Sequence, residues 1–181
     1  MKQELNIADY GLSINGHVSE YGFVFKRGNT IEAFRWDQIE AMWQAVTKHY
    51  RNRAYVGTSH KYTVQRNDGV QIVFDNKFAN IEQLGNTLRR QILKNLWPQM
   101  ISTYKAGSPM AFGPFSISSQ GVDNGKESLS WGEMTNMEVR YGRVMVHKAG
   151  RWQNWSPIMI RRIPNIFVFM ALVNYALKNP A

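Results

Sequence analysis

Between Lys48 and Lys61 the chain interleaves cations with rings: Lys48, His49, Tyr50, Arg51, Arg53, Tyr55, His60 and Lys61. Lysine and arginine neutralise phosphate oxygens, and aromatic rings stack on bases or settle at a lipid interface. The stretch, a loop or a ragged hairpin tip, is a candidate anion-binding site with Lys48, Arg51, Arg53 and Lys61 as its charges. The same composition also suits an insertion that folds against its own sheet. Lys26 and Arg27, beside the turn residues Gly28-Asn29 and followed by Arg35, form a second candidate. Several cations converging on phosphate oxygens would hold a phosphorylated headgroup. A third candidate is Arg151-Trp152-Gln153-Asn154-Trp155. Strand positions three apart face opposite ways, so one of Trp152 and Trp155 should point outward as a protein-contact anchor.

Catalytic chemistry has less to work with. The chain contains no Cys, which removes disulfides, thiolate nucleophiles and thiolate metal sites. His17, His49, His60 and His147 show no metal-ligand spacing on a helix; His49 and His60 fall in one loop and read as solvated. No Gly-x-Ser-x-Gly elbow, phosphate loop or Gly-x-Gly-x-x-Gly fingerprint occurs. Asp37 and Glu133, one and two residues after a Trp, read as turn or capping residues. We expect no catalytic residue, no metal and no cofactor. Lys plus Arg outnumber Asp plus Glu by 22 to 13, a formal net charge of +9, which favours an anionic partner.

The elements that must position these residues come as one pattern used twice. Gly22, Trp36-Asp37-Gln38-Ile39 and Phe78-Ala79-Asn80-Ile81 recur in order as Gly121, Trp131-Gly132-Glu133-Met134 and Ile163-Pro164-Asn165-Ile166. Tyr21–Lys26 and Thr30–Trp36 read as a hairpin, Ile39–Thr47 as a further strand, and Asn67-Asp68-Gly69 as a tight turn between strands. Asn80 reads as a helix N-cap. The stripe Ile81, Leu84, Leu88, Ile92 and Leu96 predicts a helix over about 80–97, with a kink at Pro98 or an extension to 104. Ala106-Gly107-Ser108-Pro109 is the natural boundary, giving units 1–106 and 107–181. The second unit repeats short strands, has a turn at Tyr141-Gly142, and ends in a helix over about 166–177 opened by Asn165. That helix is apolar all round, so it belongs between the units or at a partner interface.

Each unit is thus a run of antiparallel strands followed by one C-terminal helix, an α+β, β-rich class. On the two Trp elements, the aromatic-Gly-aromatic start and the Asn-opened helices, the chain resembles an uncharacterised bacterial family with tandem pleckstrin-homology (PH)-like repeats. The resemblance implies two PH-like units, each a bent antiparallel sheet or partial barrel closed by its helix, with Trp36, Trp131, Asn80 and Asn165 as structural repeat markers. It implies no activity. The leading expectation is a non-enzymatic adaptor that binds a protein partner through a sheet edge, a helix groove or an exposed Trp. The alternatives are peripheral binding to anionic lipid and, third, nucleic-acid binding by the basic-aromatic loop. Homo-oligomers are open. The N-terminus has no apolar signal core, and Ile163–Leu177 is shorter than a spanning helix, so a cytoplasmic location is expected.

Overall fold

The computed structural model describes residues 21–27, 30–78, 80–150, 155 and 157–179. The fold is mixed and strand-rich. It runs β1 (Gly22–Arg27), β2 (Thr30–Arg35), β3 (Ile39–Arg51), β4 (Ala54–Arg66), β5 (Gln71–Phe74) and α1 (Ile81–Lys105). It continues with β6 (Met110–Phe112), β7 (Phe115–Ser118), β8 (Gly121–Asp123), β9 (Ser128–Ser130), β10 (Met134–Arg140), β11 (Arg143–Lys148), β12 (Ile158–Met159) and α2 (Ile166–Lys178). The sheets are β1-β2, β3-β4-β5, β6-β7-β8-β9 and β10-β11-β12, with antiparallel neighbours throughout. Among the described residues they do not close into a barrel.

The repeated sequence marks take matching places. Gly22 lies opposite Arg35 and Gly121 opposite Ser130. At each, a Cβ would collide with a carbonyl oxygen of the facing strand, Phe34 O or Leu129 O, so only glycine lets the strands approach. Trp36 and Trp131 each open a short 3₁₀ turn that swings the chain from one sheet into the next. Both rings are buried, and the Trp131 indole N–H donates to Ser118 O at 3.1 Å. Asn80 and Asn165 both stand immediately before a helix in the left-handed conformation, φ 53° and 50°. Here the N-cap expectation needs correction: neither side chain caps its helix. Asn serves at these positions because it tolerates the left-handed region better than other residues with a side chain.

Two buried clusters form. Phe23, Phe34, Trp36, Met42, Tyr62 and Val64 pack with Leu88 and Ile92 of α1. Phe115, Ile117, Leu129, Trp131 and Val146 pack with Val168, Phe169 and Leu172 of α2. Leu96 and Phe167 touch both clusters. Helix α1 does not stop near residue 97 but runs to Lys105 with Pro98 inside it. A proline there removes a backbone bond, a cost of about 3 kcal/mol. Trp97, Met100, Ile101 and Tyr104 of the extension pack on the second cluster, and that burial offsets the loss. Helix α2 lies largely inside, which explains its apolar circumference: Val168, Phe169, Leu172, Val173 and Ala176 are fully buried.

Asn165 binds the halves together. Its Oδ1 accepts from Met42 N–H at 2.9 Å, its Nδ2 donates to Glu40 O at 2.9 Å, and its backbone N–H donates to Met42 O at 2.8 Å. It is the one buried polar residue among those described. No helix among the described residues is long and apolar enough to cross a membrane.

Candidate functional site: a projecting basic hairpin

Of the two readings of Lys48–Lys61, loop or hairpin tip, the structure shows the hairpin. The stretch is the outer half of a regular hairpin, β3 against β4, each 13 residues long. Alternation of Tyr62 and Val64 against Met42 and Ile39 roots the base in the first core. Beyond Ala45 the burial stops, and Val46–Arg51 are all exposed. Six exposed strand residues carry the tip roughly 20 Å beyond the core at about 3.3 Å per residue. This extra length explains why Trp36 to Asn80 is a longer stretch than Trp131 to Asn165; the matching pair β10-β11 has 7 and 6 residues.

The tip sets rings and cations together. Tyr50 pairs with Tyr55 across the strands, their rings 6.0 Å apart and edge to face. They are 62% and 58% exposed, and the aliphatic side chains of Val46 and Val56 are 43% and 59% exposed. The register shift next to Tyr50 leaves Val56 without a facing residue, a bulge that strengthens the local twist. No Asp or Glu occurs between Glu40 and Asp68. No carboxylate pairs with Lys48, Arg51, Arg53 or Lys61 among the described residues. Arg66 at the base differs. It pairs with Asp68 at 2.6 Å and Glu32 at 3.3 Å, donates to Ala33 O at 2.6 Å and lies over the Phe34 ring. The hydrogen bond from Arg66 holds the Asp68 carboxyl down at about 2. A depressed carboxylate stabilises above its unfolded value and stops doing so only as pH falls through the folded one, so this lock holds across the physiological range.

The turn itself is out of the ordinary. Arg51 pairs with Ala54 around Asn52-Arg53, whose φ angles are 49° and 67°. Two-residue turns of this hand favour Asn-Gly, because both central residues sit in the left-handed region. Arg53 occupies the place where glycine is cheapest, at a cost of order 1 kcal/mol, and it is exposed. Arg53→Gly should therefore raise stability by roughly 0.5–1 kcal/mol, read by thermal or denaturant unfolding, while removing a tip charge.

The other sequence candidates separate from this site. Lys26 and Arg27 end β1, in a different sheet, paired through the backbone with Ile31 and Thr30; their side chains lie outside the described residues. Trp152 also lies outside them. Trp155 is half-buried: its ring lies parallel to Phe115 at 6.5 Å, and its indole N–H donates to Glu127 Oε2 at 3.1 Å. His49 bonds Ser59 and His60 bonds Tyr62, so the two do not converge. Among the described residues, no three His, Asp or Glu side chains gather as they would to hold a metal ion. A cleft of about 510 Å³ lies between β2 and β5, lined by Phe25, Phe34, Ile72 and Phe78 with Glu32 and Asp75 at its margin.

A family model matches residues 7–181. The chain belongs to that family, a family of unknown function (DUF6585). No curated protein and no solved structure matches it. The sequence marks the turn at Tyr141-Gly142 but not its basic flanks, Arg140 paired with Arg143, as a candidate site. The available signal was an absence: from Val139 to the last residue no Asp or Glu occurs.

Proposed function

We propose that the protein is a non-enzymatic binding protein of two tandem PH-like units, 1–106 and 107–181, whose β3-β4 hairpin docks it on an anionic membrane. Each half runs from antiparallel strands through a Trp-opened corner to a helix, which supports the PH-like reading. The observation that carries the membrane reading is the composition of the tip. Lys48, Arg51 and Arg53, none paired with a carboxylate among the described residues, accompany exposed Tyr50, Tyr55, Val46 and Val56, and Lys61 stands at the root opposite Ala45. Cations gain roughly 1 kcal/mol each near an anionic leaflet. Tyrosine suits the headgroup level, and exposed aliphatic groups gain by leaving water there. A nucleic-acid backbone would use the cations and rings but has no use for the two valines, which is why lipid ranks above it.

Flotation with vesicles tests this. The protein should rise with an equal mixture of phosphatidylcholine and phosphatidylserine and stay down with phosphatidylcholine alone. Binding should weaken with salt yet persist near physiological ionic strength, where the apolar contacts contribute. Failure to float with anionic vesicles at any salt would sink the reading.

A second reading keeps the adaptor function and rests on the cleft between β2 and β5. Among the described residues β5 pairs only with β4, so an extended peptide can add to its outer edge with apolar side chains in the cleft.

A further inference from the structure

We propose that the second hairpin tip, Arg140-Tyr141-Gly142-Arg143, is a second membrane-contacting site that acts with the first on one anionic bilayer. This inference rests on the reading of the first hairpin given above. The two tips occupy equivalent places in the repeat: each joins the strand after the Trp-opened turn to its antiparallel partner. Tyr141 and Gly142 have φ angles of 51° and 70°, so this turn has the same hand as the first. Each departs by one residue from the favoured Asn-Gly, and in opposite positions. The first turn keeps Asn and replaces Gly with Arg53; the second keeps Gly and replaces Asn with Tyr141.

Tyr141 gains nothing for stability by being there. It is 85% exposed, the highest value among the exposed large hydrophobic residues, and a bulky ring in the left-handed region is unfavourable. Strain of this kind at an exposed position points to a contact made outside the fold. Arg140 lies over the Tyr141 ring at 5.1 Å, and Arg143 stands across the turn with one hydrogen bond, to Pro157 O at 3.3 Å. No carboxylate pairs with either arginine among the described residues. The nearest acid along β10, Glu138, faces His147 at 3.5 Å.

The fold also links the second tip to the strand that carries the first. Ile160 N–H donates to Gly142 O at 3.0 Å, tying the second tip to the 3₁₀ turn Ile160–Arg162. That turn packs along β3, the strand that leads to the first tip, and Asn165 clamps the same strand at Met42. Arg161 and Arg162 of the turn are exposed. These two arginines add exposed positive charge next to the turn that holds the second tip and packs on β3. Two weak contacts on one surface reinforce each other, because the second forms at high effective concentration.

The test compares three variants with the native chain on vesicles of equal phosphatidylcholine and phosphatidylserine. Arg140→Ala/Arg143→Ala should lower the partition coefficient about tenfold or more. Tyr141→Asn should lower it severalfold while melting at the same or a higher temperature, which separates lost contact from lost fold. Arg51→Glu/Arg53→Glu reports on the first tip. If that variant loses binding while both second-tip variants match the native chain, the second site is overturned and the first stands. Loss only in the second-tip variants overturns the first-hairpin reading and the joint contact, leaving the second tip alone. No binding by the native chain overturns both.

Discussion

Arg51→Glu/Arg53→Glu is expected to abolish binding to anionic vesicles while leaving the fold unchanged. Each cation near a negatively charged leaflet contributes about 1 kcal/mol. The double reversal removes two attractions and adds two repulsions, about 3–4 kcal/mol in all, or a loss of several hundredfold. Nothing in the fold opposes the change. Both side chains are exposed, and neither is paired with a carboxylate among the described residues. The melting transition should stay within about 0.5 kcal/mol of the native one, as for ordinary surface substitutions. Retention of vesicle binding by a folded double variant would remove the tip from the account.

Asn165→Ala should have the largest effect on stability. The substitution deletes the acceptor for Met42 N–H and the donor for Glu40 O, and it puts alanine at a φ of 50°. A buried backbone group left without a partner costs about 1–3 kcal/mol, and the left-handed region adds about 1 kcal/mol for alanine. Met42 N–H is fully buried and Glu40 O only partly, so the second group adds about 1 kcal/mol and the total is about 3–5 kcal/mol, a large share of a small protein's stability. Asn165→Gly removes the backbone strain and keeps the lost hydrogen bonds, so it should still cost about 2–4 kcal/mol. The matched comparison is Asn80→Gly. Asn80 has the same conformation, but its exposed side chain makes no capping hydrogen bond, so that change should be nearly neutral. Denaturant unfolding of the three variants reads the difference directly. Equal effects at Asn80 and Asn165 would show that the clamp onto β3 contributes nothing.

The contrast between those two asparagines shows what was legible in the sequence. Their order after Trp36 and Trp131, not their unequal spacing, suggested the repeat, and they placed the helix starts within a residue. The partner of Asn165 lies more than a hundred positions away, and no local pattern announces a contact of that range. The hairpin at Asn67-Asp68-Gly69 was readable because turn residues and alternation agree there. The Lys48–Lys61 stretch stayed open between a loop and a ragged hairpin tip because its residues are polar on both faces. Alternation signals a strand only when one face is buried, and outside the core neither face is. At Pro98 the sequence left a kink or an extension to 104 open, because the rule for proline is local; Trp97, Met100 and Tyr104 hold the extended helix together through the second core. Of the candidate site, the cations were visible as residues. Their concentration in two acid-free segments was visible only by asking where Asp and Glu stop.

The absence of cysteine allows one probe to be placed at will. Ala54, exposed and paired with Arg51 at the first tip, is the position that answers the central question, with exposed Ser108, between α1 and β6, as the control. An environment-sensitive fluorophore on Ala54→Cys should shift to the blue and be quenched by nitroxide-labelled lipid when anionic vesicles are added. The same label on Ser108→Cys should report water throughout. A label at position 54 that stays in water while the protein is vesicle-bound, or equal responses at 54 and 108, would contradict docking through the hairpin.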